Sequence, residues 1–124
     1  MNISDLNALS GLSLSAPAAQ TATVTGSGVD LQQFLGVLKL TQEVGVVSGT
    51  TPTLDGKIQD SADNASFADV SGLTFTQVTA STSLQHIAID TRAVRRYIRY
   101  VGTIGGTTPS FGLSVRAVGL KKTA

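Results

Sequence analysis

The tetrapeptide Gly-Thr-Thr-Pro occurs twice, at Gly49–Pro52 and Gly106–Pro109, inside longer matching stretches. Residues 44–59 and 101–116 align without a gap, and six of the sixteen positions are identical. In each copy an apolar run reaches Val-Gly, the tetrapeptide follows, and an alternating run leaves it. Glycine supplies positive φ for a tight connection, and proline, lacking an N–H, belongs at a strand's start or edge. Each copy therefore predicts a β-hairpin, with Pro52 or Pro109 opening the return strand. Two such hairpins predict a pseudo-symmetric all-β unit of two packed sheets.

The rest of the chain agrees. "TATVTG" and "TLDGKIQ" alternate, and "FLGVLKLTQEVGVV" is apolar with Lys39 and Thr41 interleaved. "SFADVSG" and "LTFTQVTA" are short and rich in Phe, Val and Thr. "SLQHIAID" sets Leu84, His86, Ala88 and Asp90 against Gln85, Ile87 and Ile89. Runs of this length, bounded by Gly, Pro and Asn, read as strands. About eight are expected. They predict an antiparallel β-sandwich, jelly-roll-like, over residues 21–124. Residues 1–20 are Ser- and Ala-rich, are broken by Pro17 and lack a clear period. They are expected to form an N-terminal arm, either flexible or ordered on a partner.

Composition removes several classes of function. A chain of 124 residues can bury a core without staples, and it has no cysteine for a disulfide, a thiol nucleophile or a thiolate metal site. The formal net charge is +1, which does not suit a strongly basic nucleic-acid binder. Charged residues make up 14%, against about 25% in an average domain. A surface of hydroxyls and backbone repels its neighbours little, a mild pointer to a protein that lies against other proteins. No run reaches the ~18 apolar residues of a membrane span. The first 20 residues lack the basic start and apolar core of a signal peptide.

Sites for chemistry are also missing. His86 is the one histidine; Ser83, His86 and Asp90 do not share one face of a strand, so they form no triad. The loop "QDSADNASFADV" crowds Asp60, Asp63, Asn64 and Asp69. It reads as a turn in which these side chains bond their own backbone, since the spacing does not fit an EF-hand. The Gly-rich stretches 26–28 and 102–106 precede no helix and so offer no phosphate site. Without Trp, a sugar-stacking platform is poorly supplied. No catalytic residue, cofactor or metal is expected.

"TRAVRRYIRYV" carries Arg92, Arg95, Arg96 and Arg99 at helical spacing. It also occupies, in the second repeat, the place that "LKLTQEV" holds in the first, and Tyr, Ile and Val favour strands. Read as a strand, it puts Arg95, Tyr97 and Arg99 on one open face, and Val94, Arg96, Ile98 and Tyr100 on the other. The arginines either form ion pairs within the fold, with Asp90 or Asp69 as candidates, or dock an acidic partner. Single-stranded nucleic acid is a further option.

The segments "SGTTPTLD", "IQDSAD", "FADV", "RYIR" and "GTTPS" together resemble a group of small β-sandwich proteins from the virion-structural gene cassettes of tailed bacteriophages. The likeness runs over residues 29–122 and departs at "DSADNAS". It implies a virion structural protein, above all a capsid decoration (cement) protein on the outer capsid surface, made in the host cytoplasm. The implied partners are the major capsid protein and further copies of itself, a trimer being favoured, with no membrane or nucleic acid. Alternatives are a tail or head–tail junction protein and a single-strand nucleic-acid-binding module. Expected contacts are Arg95, Tyr97 and Arg99, with Thr50, Thr51 and Pro52 and Thr107, Thr108 and Pro109 on strand edges.

Overall fold

The computed structural model describes residues 9–121, and all its regular structure is antiparallel β. The strands are β1 (Leu9–Gln20), β2 (Val24–Thr25), β3 (Val29–Asp30), β4 (Phe34–Ser61), β5 (Ala68–Thr74), β6 (Ser83–Asp90) and β7 (Tyr97–Lys121). There are seven rather than about eight, because the two repeats are each one long strand. β4 has 28 residues and β7 has 25.

The expected hairpins are therefore not formed. β4 and β7 run through the Gly-Thr-Thr-Pro segments and pair with each other, Ser48 with Ser110, Thr50 with Thr107 and Thr53 with Gly105. The register slips on both sides of Thr50, so each tetrapeptide is an irregular kink within a strand. Gly49 and Gly106 have φ of 108° and 110°, and Thr51 and Thr108 have 47° and 46°. Positive φ and a missing N–H suit a kink as well as a turn, which is why the sequence signal misled. The pseudo-symmetry holds: each copy lies across the other and adopts the same backbone.

Each kink divides its strand into two arms. The first arm of β4 pairs with β6 on one side and with the last arm of β7 on the other; β1 pairs beyond it. The second arm of β4 pairs with β5 and with the first arm of β7, which also carries β2 and β3. Two halves, each four strands wide, thus share two continuous strands. They face each other across one core, forming an antiparallel β-sandwich. Leu38, Leu40, Val44, Phe111, Leu113 and Val115 are buried from one half, and Leu54, Ile58, Ile98, Tyr100 and Phe75 from the other. Burying each such side chain contributes roughly 1.5–3 kcal/mol.

One polar contact crosses this core. The Tyr100 hydroxyl donates to Gln42 Oε1 at 2.6 Å, both residues being fully buried, while Gln42 Nε2 has no partner. Burial pushes the Tyr100 phenol above its ordinary pKa.

The boundary expected after residue 20 is revised. Residues 1–8 lie outside the described residues, but Leu9–Gln20 is strand β1, paired with β7 in the same chain. Leu14 is in the core and Leu12 packs against it. The alternation of Leu12 and Leu14 with serines was the sequence signal for this strand. "LTFTQVTA" gives only the end of β5 and one isolated bridge, Leu54 to Val78. β6 forms as expected, with Ile89 buried and Leu84, His86 and Ala88 exposed.

Candidate interaction surface

Besides the N-terminal arm, two regions were expected to meet a partner, and the fold treats them differently. The two tetrapeptides, separate strand edges on sequence grounds, converge on one spot, where β4 and β7 cross. Thr50, Thr51, Thr107 and Thr108 are exposed there, and Pro52 and Pro109 are half-buried. Close packing explains the glycines. A Cβ on Gly49 would lie 2.6 Å from the Thr108 carbonyl oxygen and 2.8 Å from the Pro109 Cα. One on Gly106 would meet Thr51 and Pro52 at 2.6 and 2.9 Å. A threonine in the left-handed region is strained, because its branched Cβ crowds the backbone, at a cost of about 1–2 kcal/mol. The strain is present twice, at equivalent exposed positions.

The arginine segment is only partly a strand. Arg92 N bonds Asp90 Oδ1 and Ala93 N bonds the Asp90 carbonyl, so a turn follows β6, and β7 begins at Tyr97. Arg95 therefore stands before the strand, outside the alternation assigned to it. Arg96, placed on the inner face with Ile98 and Tyr100, is exposed; Ile98 and Tyr100 are buried as expected. Tyr97 and Arg99 share the outer face of β7, both half-buried.

These arginines are engaged within the fold. Arg95 holds Asp60 through Nε and Nη2 at 3.1 and 2.9 Å, and its backbone N–H bonds the other carboxylate oxygen. Arg96 holds Asp30 at 3.0 and 2.8 Å, and Arg92 holds Asp90 at 3.1 Å. Of the two carboxylates expected as partners, Asp90 does pair with an arginine of the cluster, Arg92, whereas Asp69 pairs with Lys57. The Arg96 and Arg92 guanidinium groups hold Asp30 and Asp90 below the usual carboxylate range. Arg99 has no carboxylate among the described residues. Its Nε donates to Gln59 Oε1 at 2.8 Å, and its guanidinium lies 4.2 Å from the centre of the Phe67 ring. A groove of about 640 Å³ lies beside this cluster, with Leu31, Phe34 and Val94 in its wall and Arg92, Arg95 and Arg96 among its lining residues.

The acidic loop is a turn closed on itself. Asp63 Oδ1 accepts from the Ser66 and Ala65 amides and the Ser61 hydroxyl, which lowers its pKa to about 2. His86 Nδ1 pairs with the Thr41 hydroxyl at 2.9 Å. No group of three or more His, Asp or Glu among the described residues could hold a metal.

No protein-family model matches the chain, and no curated protein sequence matches it. Solved structures match its fold. The SPBc2 prophage-derived protein YomS aligns over 91% of this chain and 93% of its own, at 10% identity and a TM-score of 0.54. A chain of infectious bursal disease virus, Gx strain, aligns over 91% of this chain at 13% identity and a TM-score of 0.61. VP2 from a subviral particle of infectious bursal disease virus gives 91%, 12% and 0.55. This chain spans 32% of each of those two viral chains. At such identities the likeness is one of fold, a β-sandwich.

Proposed function

We propose that this protein is a structural component of a bacteriophage virion, and specifically a decoration protein that binds the outer surface of the major capsid lattice and stabilises the head. The observation that carries this reading is its fold likeness to a prophage-derived protein, covering nearly all of both chains. The sequence resemblance over residues 29–122 points the same way. The likeness to VP2 of a virus particle supports a sandwich suited to assembly.

The mechanism is passive. A rigid sandwich docks by shape, and a weak contact repeated over a lattice, or by an oligomer such as a trimer, gains strength through multivalency. The patch of Thr50, Thr51, Thr107 and Thr108 is the first contact surface on this reading. It is exposed and stiffened by kinks, and it carries strain of the kind that gathers at functional positions. Arg99 and Tyr97 form a second patch. Arg95 contributes less, since Asp60 already neutralises it.

Electron microscopy of virions carrying a labelled copy of the protein tests the assignment. Label over the whole shell is expected. Label confined to one vertex or to the tail would replace the decoration role with a junction or tail role.

A further inference from the structure

A sheet edge presents unpaired N–H and C=O groups, and folded proteins guard such edges with proline, lysine, bulges or brevity. Three edges of this sandwich are guarded in those ways. β1 contains Pro17 and two register shifts. β5 has a register shift and Gly72 at φ 81°. β2 and β3 have two residues each.

β6 is different. Its eight residues pair with β4 in unbroken register from Val44–Ser83 to Val37–Asp90, and it contains no Pro, Gly or Lys. Nothing among the described residues pairs with its other side. The Thr91 amide donates to the Gly36 carbonyl, in register with the β4–β6 pairs. Backbone groups alternate sides along a strand. The N–H and C=O of Leu84, His86 and Ala88 therefore point to the open edge, as does the Asp90 N–H, while the Asp90 carbonyl is taken by the Ala93 amide. The side chains of the first three are exposed, and Leu84 is 57% exposed.

We infer that β6 is an assembly edge, and that its occupant is β6 of a second copy, paired antiparallel about a twofold axis. The edge is self-complementary. An antiparallel twofold centred on His86 sets Leu84 of one strand against Ala88 of the other, so that the exposed leucine meets an apolar neighbour. The strand's one charge, Asp90, sits at its end and is already paired with Arg92. A net charge of +1 gives little repulsion between copies. The result is an isologous contact that joins two sandwiches through one continuous sheet. This inference does not rest on the virion reading.

The test is sedimentation of the purified full chain from micromolar to millimolar concentration, beside two variants. Leu84→Lys keeps every backbone bond and guards the edge. Ala88→Pro removes one outward N–H, which an edge strand tolerates. Circular dichroism confirms that each variant is folded. The mass of the smallest wild-type species is expected to double with concentration, and both variants are expected to lose the doubling. The amides of Leu84, His86 and Ala88 should gain exchange protection as the wild type associates. A mass that never doubles, or a doubling unchanged in both variants, overturns the inference. Shell binding by a protein that does not double would leave the decoration reading standing and remove only this one.

Discussion

At the scale of single residues, the account turns on groups whose partners are fixed by the fold. Tyr100→Phe leaves Gln42 buried with no partner on either side-chain atom. It should destabilise by about 1–3 kcal/mol, read as a lower midpoint in urea unfolding. Adding Gln42→Leu should recover part of that loss, a coupling that a double-mutant cycle measures. The carboxylates predict the pH response. Asp30, Asp63, Asp69 and Asp90 all have lowered pKa values when folded. Their contribution is complete above the unfolded value of about 3.9 and is lost as pH falls through the folded values. Stability should therefore stay level through mildly acidic pH and drop below about pH 4. Asp63, held by two amides and a hydroxyl, titrates near pH 2. Tyr100 has the opposite sign. The unfolded phenol ionises near pH 10 and the buried one resists, so stability falls above about pH 10. Thermal unfolding across pH checks both limbs. Loss of stability already at pH 6 would contradict the assignment.

At the scale of elements, the kinks decide the architecture. Gly49→Ala and Gly106→Ala each drive a Cβ into the partner strand's backbone, which cannot move as a side chain could. Each should cost at least about 2 kcal/mol, and by about the same amount because the two sites are pseudo-equivalent. Gly36 also has positive φ, at 76°, but a Cβ there meets nothing within 4 Å. Gly36→Ala should therefore cost only about 1 kcal/mol, the conformational strain alone. Unfolding of the three variants side by side checks the order. The same elements show what could be read beforehand. β6 was legible because strict alternation matches a half-buried strand. The twofold repeat was legible as symmetry, but its pairing was not. Gly and Pro mark a departure from regular backbone without saying whether the chain turns back or continues. β1 was hidden by small side chains, since serine and alanine weaken the alternation that Leu12 and Leu14 carry. The arginine partners were out of reach because Asp30 and Asp60 lie far from Arg96 and Arg95 in sequence and meet them only through β7 pairing with β3 and β4.

At the scale of the whole molecule, continuous backbone joins the two halves of the sandwich. Two strands of 28 and 25 residues pass through both halves, so a load on one sheet is carried directly into the other. The converging threonine patch sits where those strands cross, and the open edge of β6 lies on one half only. One surface could thus face a lattice while another meets a neighbouring copy. The central proposal is that many copies coat a capsid shell. The measurement that tests it most directly is the mass of expanded empty capsids of the same phage, before and after mixing with the purified protein. The account predicts saturable uptake of hundreds of copies per shell. No uptake, or a dozen copies or fewer, would contradict it and place the protein at a vertex, in the tail or outside the virion.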